Sequence, residues 1–314
     1  MTATVVKLSF TSPVHFGNGR LSDAECACSA DTLFSALFME AMAQGSQEDL
    51  LAAARDGDLL LSDAFPWVGD DCYLPKPYGA PALFASDEES ESRGSADKKA
   101  FKKLRYLPRD AYGSFFDGTL DAVETLRALD EGLGASGLVT KVDLRREGGD
   151  GGLEDGGDAK PYHVGGFHYR EGAGLYFIAK GGYDIAPLLE SLRYSGLGGK
   201  RSAGYGRFEY ELTANASDAV PATPGCRVLL SSAAPTADEL SDGLLQGARY
   251  LLKRRAGFVQ SGTYSAEPLK KRDFYAFAAG STFERTFAGD VFDVSAGGAH
   301  PVWRYAKAFW TGEQ

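Results

Sequence analysis

One short stretch constrains this chain more than any other: SGLGGKRSAGYGRF, Ser195 to Phe208, with five glycines, three cations and no acid. Gly196, Gly198, Gly199, Gly204 and Gly206 alternate there with Lys200, Arg201 and Arg207. A helical run, APLLESLRY, precedes it and an alternating strand-like run, RFEYEL, follows. Glycine reaches φ > 0 without strain and lacks a Cβ, so backbone N–H groups can converge on an anion. Lysine and arginine add charge that phosphate oxygens accept. The combination suits a polyphosphate or a nucleic-acid backbone, and its structural alternative is a flexible glycine turn feeding an edge strand. The commoner phosphate loops do not fit. There is no GxxxxGK[ST], and the glycines follow a helix rather than opening one.

Charge sharpens this reading. The chain carries 33 Lys and Arg against 43 Asp and Glu, a net charge of −10, which on its own argues against nucleic acid. The distribution matters more than the sum. Acid is concentrated at 87–91 (DEESE) and 147–158 (EGGDGGLEDGGD), both read as loops. Residues 249–272 instead hold Arg249, Lys253, Arg254, Arg255, Lys270, Lys271 and Arg272 against one acid, Glu267. A basic strip on an acidic protein is a local electrostatic footprint. No run approaches the roughly 18 apolar residues of a membrane span. MTATVVKLSF reads as a first strand rather than a signal peptide. Cys26, Cys28, Cys72 and Cys226 make no CxxC pair, so a reduced, cytoplasmic, metal-free protein without a cofactor is expected.

Along the chain, TATVVKLSF alternates as a strand, and Ser29 or Asp31 can cap the helix that follows. Its apolar stripe runs through Leu33, Leu37 and Ala41 with Phe34, Phe38 and Met42. LLLSDAFPW reads as a buried strand ended by Pro66. Residues 78–160 lack regular pattern apart from a helix at about 119–131 and the strand GLVTKVDLRRE, and read as an insertion. Without it the order is β-α-β-β-α-β, the ferredoxin-like arrangement that RNA-recognition motifs also use. Residues 226–314 offer a second, shorter series with a helix opening near Thr236.

The glycine stretch resembles the glycine-rich loop of the RAMP superfamily of CRISPR proteins. Its detailed form is similar to the type III-A (Csm) effector-complex subunit that caps the 5′ end of the guide RNA. Other segments match that family in the same order: HFGNG at His15, SADTLFSALF at Ser29, LSDAFPW at Leu61 and YLPKP at Tyr73. GLYFIAK at Gly174, KRRAGFVQSGTY at Lys253, KKRDFYAFAAGSTF at Lys270 and HPVWRYAKAF at His300 follow. Together they span nearly the whole chain except 78–160. The resemblance implies an α+β protein of two ferredoxin-like (RRM-like) domains, residues 1–215 with an insertion at about 78–160, and residues 216–314. The second rests mainly on the family.

It also implies a non-catalytic subunit that binds the 5′ handle of the guide crRNA and bridges the large polymerase-like subunit to the backbone subunits. A thumb-like hairpin, sought within 78–160, would act near target RNA. The RNA-binding residues expected are His15, Phe16, Gly17 and Arg20 in the first loop, then Gly198, Gly199, Lys200, Arg201, Ser202 and Tyr205, and Lys253, Arg254 and Arg255 in the basic strip. Backbone amides of Gly198, Gly199 and Ser202 would position the strand. Tyr205 leads the base-stacking candidates, with Phe258 and Tyr264 next.

The alternative is a repeat-processing endoribonuclease of the same superfamily, with His15 as its acid-base group. A third reading is an interaction protein whose loop binds a peptide. About a hundred residues follow the glycine loop here, whereas in those nucleases it lies near the C-terminus. Related backbone subunits use an Asp to cut target RNA, but Asp31 opens an apolar helix and capping accounts for it. Asp63 reads as a turn residue.

Overall fold

The computed structural model describes residues 3–17, 19–79, 95–143, 160–216, 219–240, 243–261 and 263–312. The acidic stretches at 87–91 and 147–158 lie outside the described residues.

β1 (Ala3–Phe10) is followed by β2 (Phe16–Gly17) and β3 (Ala24–Glu25), which pair with each other. Two helices come next, α1 (Ala30–Gln44) and α2 (Gln47–Asp56), then β4 (Leu59–Leu61), β5 (Phe65–Val68) and β6 (Asp71–Pro75). The region read as an insertion contributes α3 (Ser95–Lys103), β7 (Tyr106–Pro108), α4 (Tyr112–Phe116), α5 (Ala122–Leu133) and β8 (Gly134–Asp143). β8 pairs along its length with β9 (Lys160–Tyr169), a two-stranded antiparallel hairpin. β10 (Ala173–Gly181), α6 (Ala186–Ser195) and β11 (Phe208–Thr213) complete the first half, with the glycine loop between the last two.

These elements form one antiparallel sheet of order β11-β1-β10-β5-β6-β7, with β4 also on β10. Counting β1, β4 with β5, β10 and β11 as successive strands, the spatial order is fourth, first, third, second. β1 therefore sits inside the sheet, with Val6 opposite Phe177 on one side and Leu212 on the other. β10 is buried from Ala173 to Ala179, and its AGLYFIA run is continuously apolar. Leu33, Leu37 and Ala41 of α1 meet Leu188, Leu189 and Leu192 of α6 in one core with Val6, Leu8 and Phe177. Each such buried Leu or Phe contributes about 1.5–3 kcal/mol. Met42, expected on the α1 stripe, is exposed instead.

The second half consists of short strands. β12 (Arg227–Val228) pairs with β15 (Thr282–Phe283), β13 (Leu252–Arg255) with β14 (Phe274–Phe277), and β16 (Val291–Asp293) with β17 (Trp303–Tyr305). Among the described residues from 219 to 312 there is no α-helix, so the helix expected near Thr236 is corrected to a single turn. Its cap does form: Glu239 Oε2 accepts from the Thr236 N–H at 2.9 Å, and Leu240 N–H donates to Thr236 O at 3.0 Å. Gly243 (φ 99°) and Gly247 (φ 69°) then hold left-handed backbone, which a continuing helix does not accommodate. Glu239 also accepts from the N–H groups of Ala288 and Gly289, which ties the turn to a distant segment.

The two halves share core. Val228, Leu230, Val291, Tyr305 and Phe309 belong to the same buried cluster as β1 and α1. The Tyr305 ring stacks on Phe34 with centroids 5.1 Å apart, and its hydroxyl accepts from Leu61 N–H at 2.8 Å. A second cluster gathers Phe277, Phe283, Phe287 and Trp310 edge to face. The molecule is a mixed α/β protein built on antiparallel strands.

Candidate nucleic-acid interface

The glycine loop leaves the end of α6, folds against the loop that follows β1, and returns into β11. The Gly199 N–H donates to the His15 carbonyl at 2.9 Å, and the Gly206 N–H to the Pro13 carbonyl at 2.8 Å. Gly198 has φ 99°, and a Cβ there would stand 3.0 Å from both the His15 carbonyl oxygen and the Phe16 ring. At Gly199 a Cβ would stand 2.8 Å from the His15 imidazole. Close backbone approach thus demands glycine at both positions, and the body they approach is His15–Phe16. Lys200 itself holds a left-handed conformation (φ 59°), which costs a non-glycine residue about 1–2 kcal/mol.

The turn opens a cleft of ≈ 650 Å³ whose lining includes Ser195, Gly198 to Ser202, Arg207 and Gln260. Lys200, Arg201 and Arg207 bring three cations, and among the described residues the lining has no carboxylate. Arg201 also touches α1, its Nη2 donating to Met39 Sδ at 3.2 Å. One residue further, the buried Glu40 carboxylate accepts from the hydroxyls of Ser191 and Ser195, where α6 ends. Two neighbouring residues of α1 therefore hold both the entry and the middle of the loop.

The other expected residues divide. Gly17 and Arg20 are exposed, whereas His15 and Phe16 are buried. The His15 Nδ1–H donates to the Gly165 carbonyl at 2.7 Å, so hairpin strand β9 fixes the imidazole. The Gly199 amide, expected to position RNA, is engaged by His15 as described. Tyr205 is 7 % exposed, packed by Gly166 and covered by the Lys141 ammonium at 5.1 Å from its centroid, so its ring does not face the cleft. Tyr264 is buried against His300, while Phe258 stays exposed beside Lys270.

The basic strip does not line the cleft as a block; that segment reaches it at Gln260. Lys253 is exposed, Arg254 pairs with Asp273 at 2.7 Å, and Arg255 turns inward. Its guanidinium donates to both Asp31 oxygens, at 2.7 and 2.9 Å, and to the Ser29 and Thr32 hydroxyls. Arg304 of β17 donates to Asp31 as well. Sequence reasoning passed over Arg207 and Gln260 as site residues. Arg207 was signalled by its place in the acid-free stretch; nothing local signalled Gln260.

Neither of two aspartates takes the role expected of it. Ser29 precedes α1 without a side-chain capping bond, and Asp31 binds two arginines rather than the helix end. The first helical N–H, on Ala30, donates instead to Asp63 at 2.7 Å. Asp63 also accepts from the N–H and hydroxyl of Ser232, so it is a buried bridge rather than a turn residue. Burial raises the Asp63 carboxyl to about 6, against those donors, which lower it. Burial would raise Asp31 too, but the Arg255 and Arg304 charges outweigh it and hold that carboxyl well below the usual range.

In the first half, an antiparallel sheet packed on helices thus carries a glycine-rich cationic cleft between α6 and β11. A family profile described as CRISPR Csm4 C-terminal domain matches residues 225–312. The chain is 39% identical over 296 residues to the CRISPR system Cms protein Csm4 of Mycobacterium tuberculosis strain ATCC 25618 / H37Rv, covering 93% of this chain and 92% of that protein. It is 34% identical over 322 residues to the protein of the same description from Streptococcus thermophilus, covering 98% and 97%. On these relatives the chain belongs to the Csm4 family of type III-A CRISPR proteins. Its fold is that of a chain in the crystal structure of a Csm1-Csm4 cassette with cA4, at TM-score 0.61 and 22% identity over 100% of this chain and 98% of that one. A chain of a Csm3-Csm4 subcomplex matches at TM-score 0.59 and 18% identity over 100% of both.

Proposed function

We propose that this chain is the non-catalytic subunit of a type III-A interference complex that holds the 5′ handle of the guide crRNA. The observation that carries the reading is the open cleft at the glycine loop, lined by Lys200, Arg201 and Arg207 with no carboxylate among the described residues. Phosphates are the ligands such a surface selects, because cations gathered without acids attract anions and planar guanidinium forks match phosphate oxygens. Arg20 and Lys253 would extend the contact; Arg255 serves the site only through the helix it holds.

The partners follow from the relatives, whose solved assemblies contain Csm1 or Csm3 with Csm4. One face would dock on the large polymerase-like subunit and another on the first backbone subunit. The β8–β9 hairpin suits the thumb near target RNA, because β8 carries exposed Leu138, Val139 and Val142. We read β1 to β11 as a ferredoxin-like unit, from its strand order, and divide the domains at residues 215 and 216. No helix among the described residues is long and apolar enough to cross a membrane. His15, buried and bonded through Nδ1, is poorly placed for the repeat-nuclease alternative.

Changing Lys200 and Arg201 to Ala is the test. RNA affinity should fall, and the slope of log K against log[salt] should flatten by about 0.7 for each phosphate no longer neutralised. Slopes equal to wild type would remove this loop from the RNA site.

A further inference from the structure

The phosphate reading leaves the aromatic ring in the cleft's lining unused. Tyr194, the next-to-last residue of α6, lines the cleft beside Ser195 and is 64% exposed. Its ring is not loose. The Arg193 guanidinium lies over it, 4.8 Å from the centroid. Arg193 is anchored in turn by Glu209 of β11 at 2.7 Å and by Glu190 at 3.5 Å, one turn back on α6. One face of the ring therefore has a fixed cationic backing, and the exposed surface that remains opens on the cleft and solvent. A rigid, backed aromatic face next to three cations is what a single-stranded nucleic acid needs, since its bases stack while its phosphates are neutralised. Tyr205, expected to stack, is withdrawn from this surface by burial.

We infer that Tyr194 is the base-stacking platform of the cleft, taking one nucleobase of single-stranded RNA whose phosphates lie on Lys200, Arg201 and Arg207. The inference rests on the RNA reading above and adds to it a base contact in place of a purely ionic one. Stacking is tolerant of base identity, because every base presents a π-face, so the platform fixes position rather than sequence.

The experiment uses the full chain and short single-stranded RNAs, each with one abasic ribose at a successive position. Wild type, Tyr194→Ala, Tyr194→Phe and the Lys200→Ala, Arg201→Ala variant are compared, with a thermal melt of each. Tyr194→Ala should weaken binding of intact RNA roughly 5- to 150-fold, the range of one base–aromatic stack. Its salt slope should stay that of wild type, and Tyr194→Phe should bind as wild type does. At one abasic position the weakening caused by Tyr194→Ala should vanish, since removing the ring and removing the base abolish the same stack. Equal weakening on every abasic RNA, or binding as tight as wild type, would overturn the stacking role and leave the RNA reading standing. If the Lys200, Arg201 variant binds as wild type does, the RNA reading fails and this inference fails with it.

Discussion

Replacing Asp31 with alanine should cost this protein more than any change on its surface, for reasons that can be worked from its partners. Asp31 is 4% exposed and receives two hydrogen bonds from Arg255 and one from Arg304. Arg304 is 8% exposed and its Nε has no hydrogen-bond partner among the described residues, so without Asp31 it becomes a poorly compensated buried cation. Arg255 is better off, keeping the Ser29 and Thr32 hydroxyls and a partly exposed side chain. Breaking a buried pair by removing one partner costs about 3–5 kcal/mol, a large part of the roughly 5–15 kcal/mol that holds a domain together. Urea unfolding of Asp31→Ala should show that loss. The double variant Asp31→Ala, Arg304→Met should recover a substantial part of it, because the stranded charge is gone. The pH dependence has a definite sign. Asp31 is depressed in the folded state, so its stabilisation is present above the unfolded carboxylate pKa of about 3.9 and is lost as pH falls below it. An Asp31→Ala protein within about 1 kcal/mol of wild type, or a double variant less stable than the single one, would refute the view that this carboxylate joins the two halves.

Asp63 should behave with the opposite sign: its folded carboxyl is raised to about 6, so the stability it contributes is full below about 3.9 and lost as pH rises through 6. Asp63→Asn should flatten that part of the profile, measured as melting temperature from pH 4 to 7.5. Gly198→Val should cost about 1–2 kcal/mol for the left-handed backbone, with further strain against His15 and Phe16, and should lower the guide RNA that co-purifies with the assembled complex. Normal RNA content at lowered stability would mark the loop as a structural turn alone.

How much of this was legible beforehand depends on how far apart the interacting residues lie. The acid-free glycine loop, the helix before it and the strand after it are signals carried within about fifteen residues, and each is where the periodicity and turn chemistry put it. So are α1 and β1, whose apolar patterns need only their own neighbours. The order of short motifs along the chain sufficed for the family. The fate of individual charged and aromatic residues did not follow from local pattern. Lys200 and Arg255 look alike in sequence, yet one lines an open cleft and the other is held by a carboxylate 224 residues away. Asp31 stood where a cap belongs, but the cap came from Asp63, and Asp31 was claimed by Arg304 at a separation of 273 residues. Tyr205 is flanked by glycines and buried, whereas Tyr194 ends a helix and is exposed. Composition and periodicity act between near neighbours, so they determine which elements form and where the glycine loop falls. Burial decides which charges find partners and which rings stay open, and burial exists only once distant segments have packed.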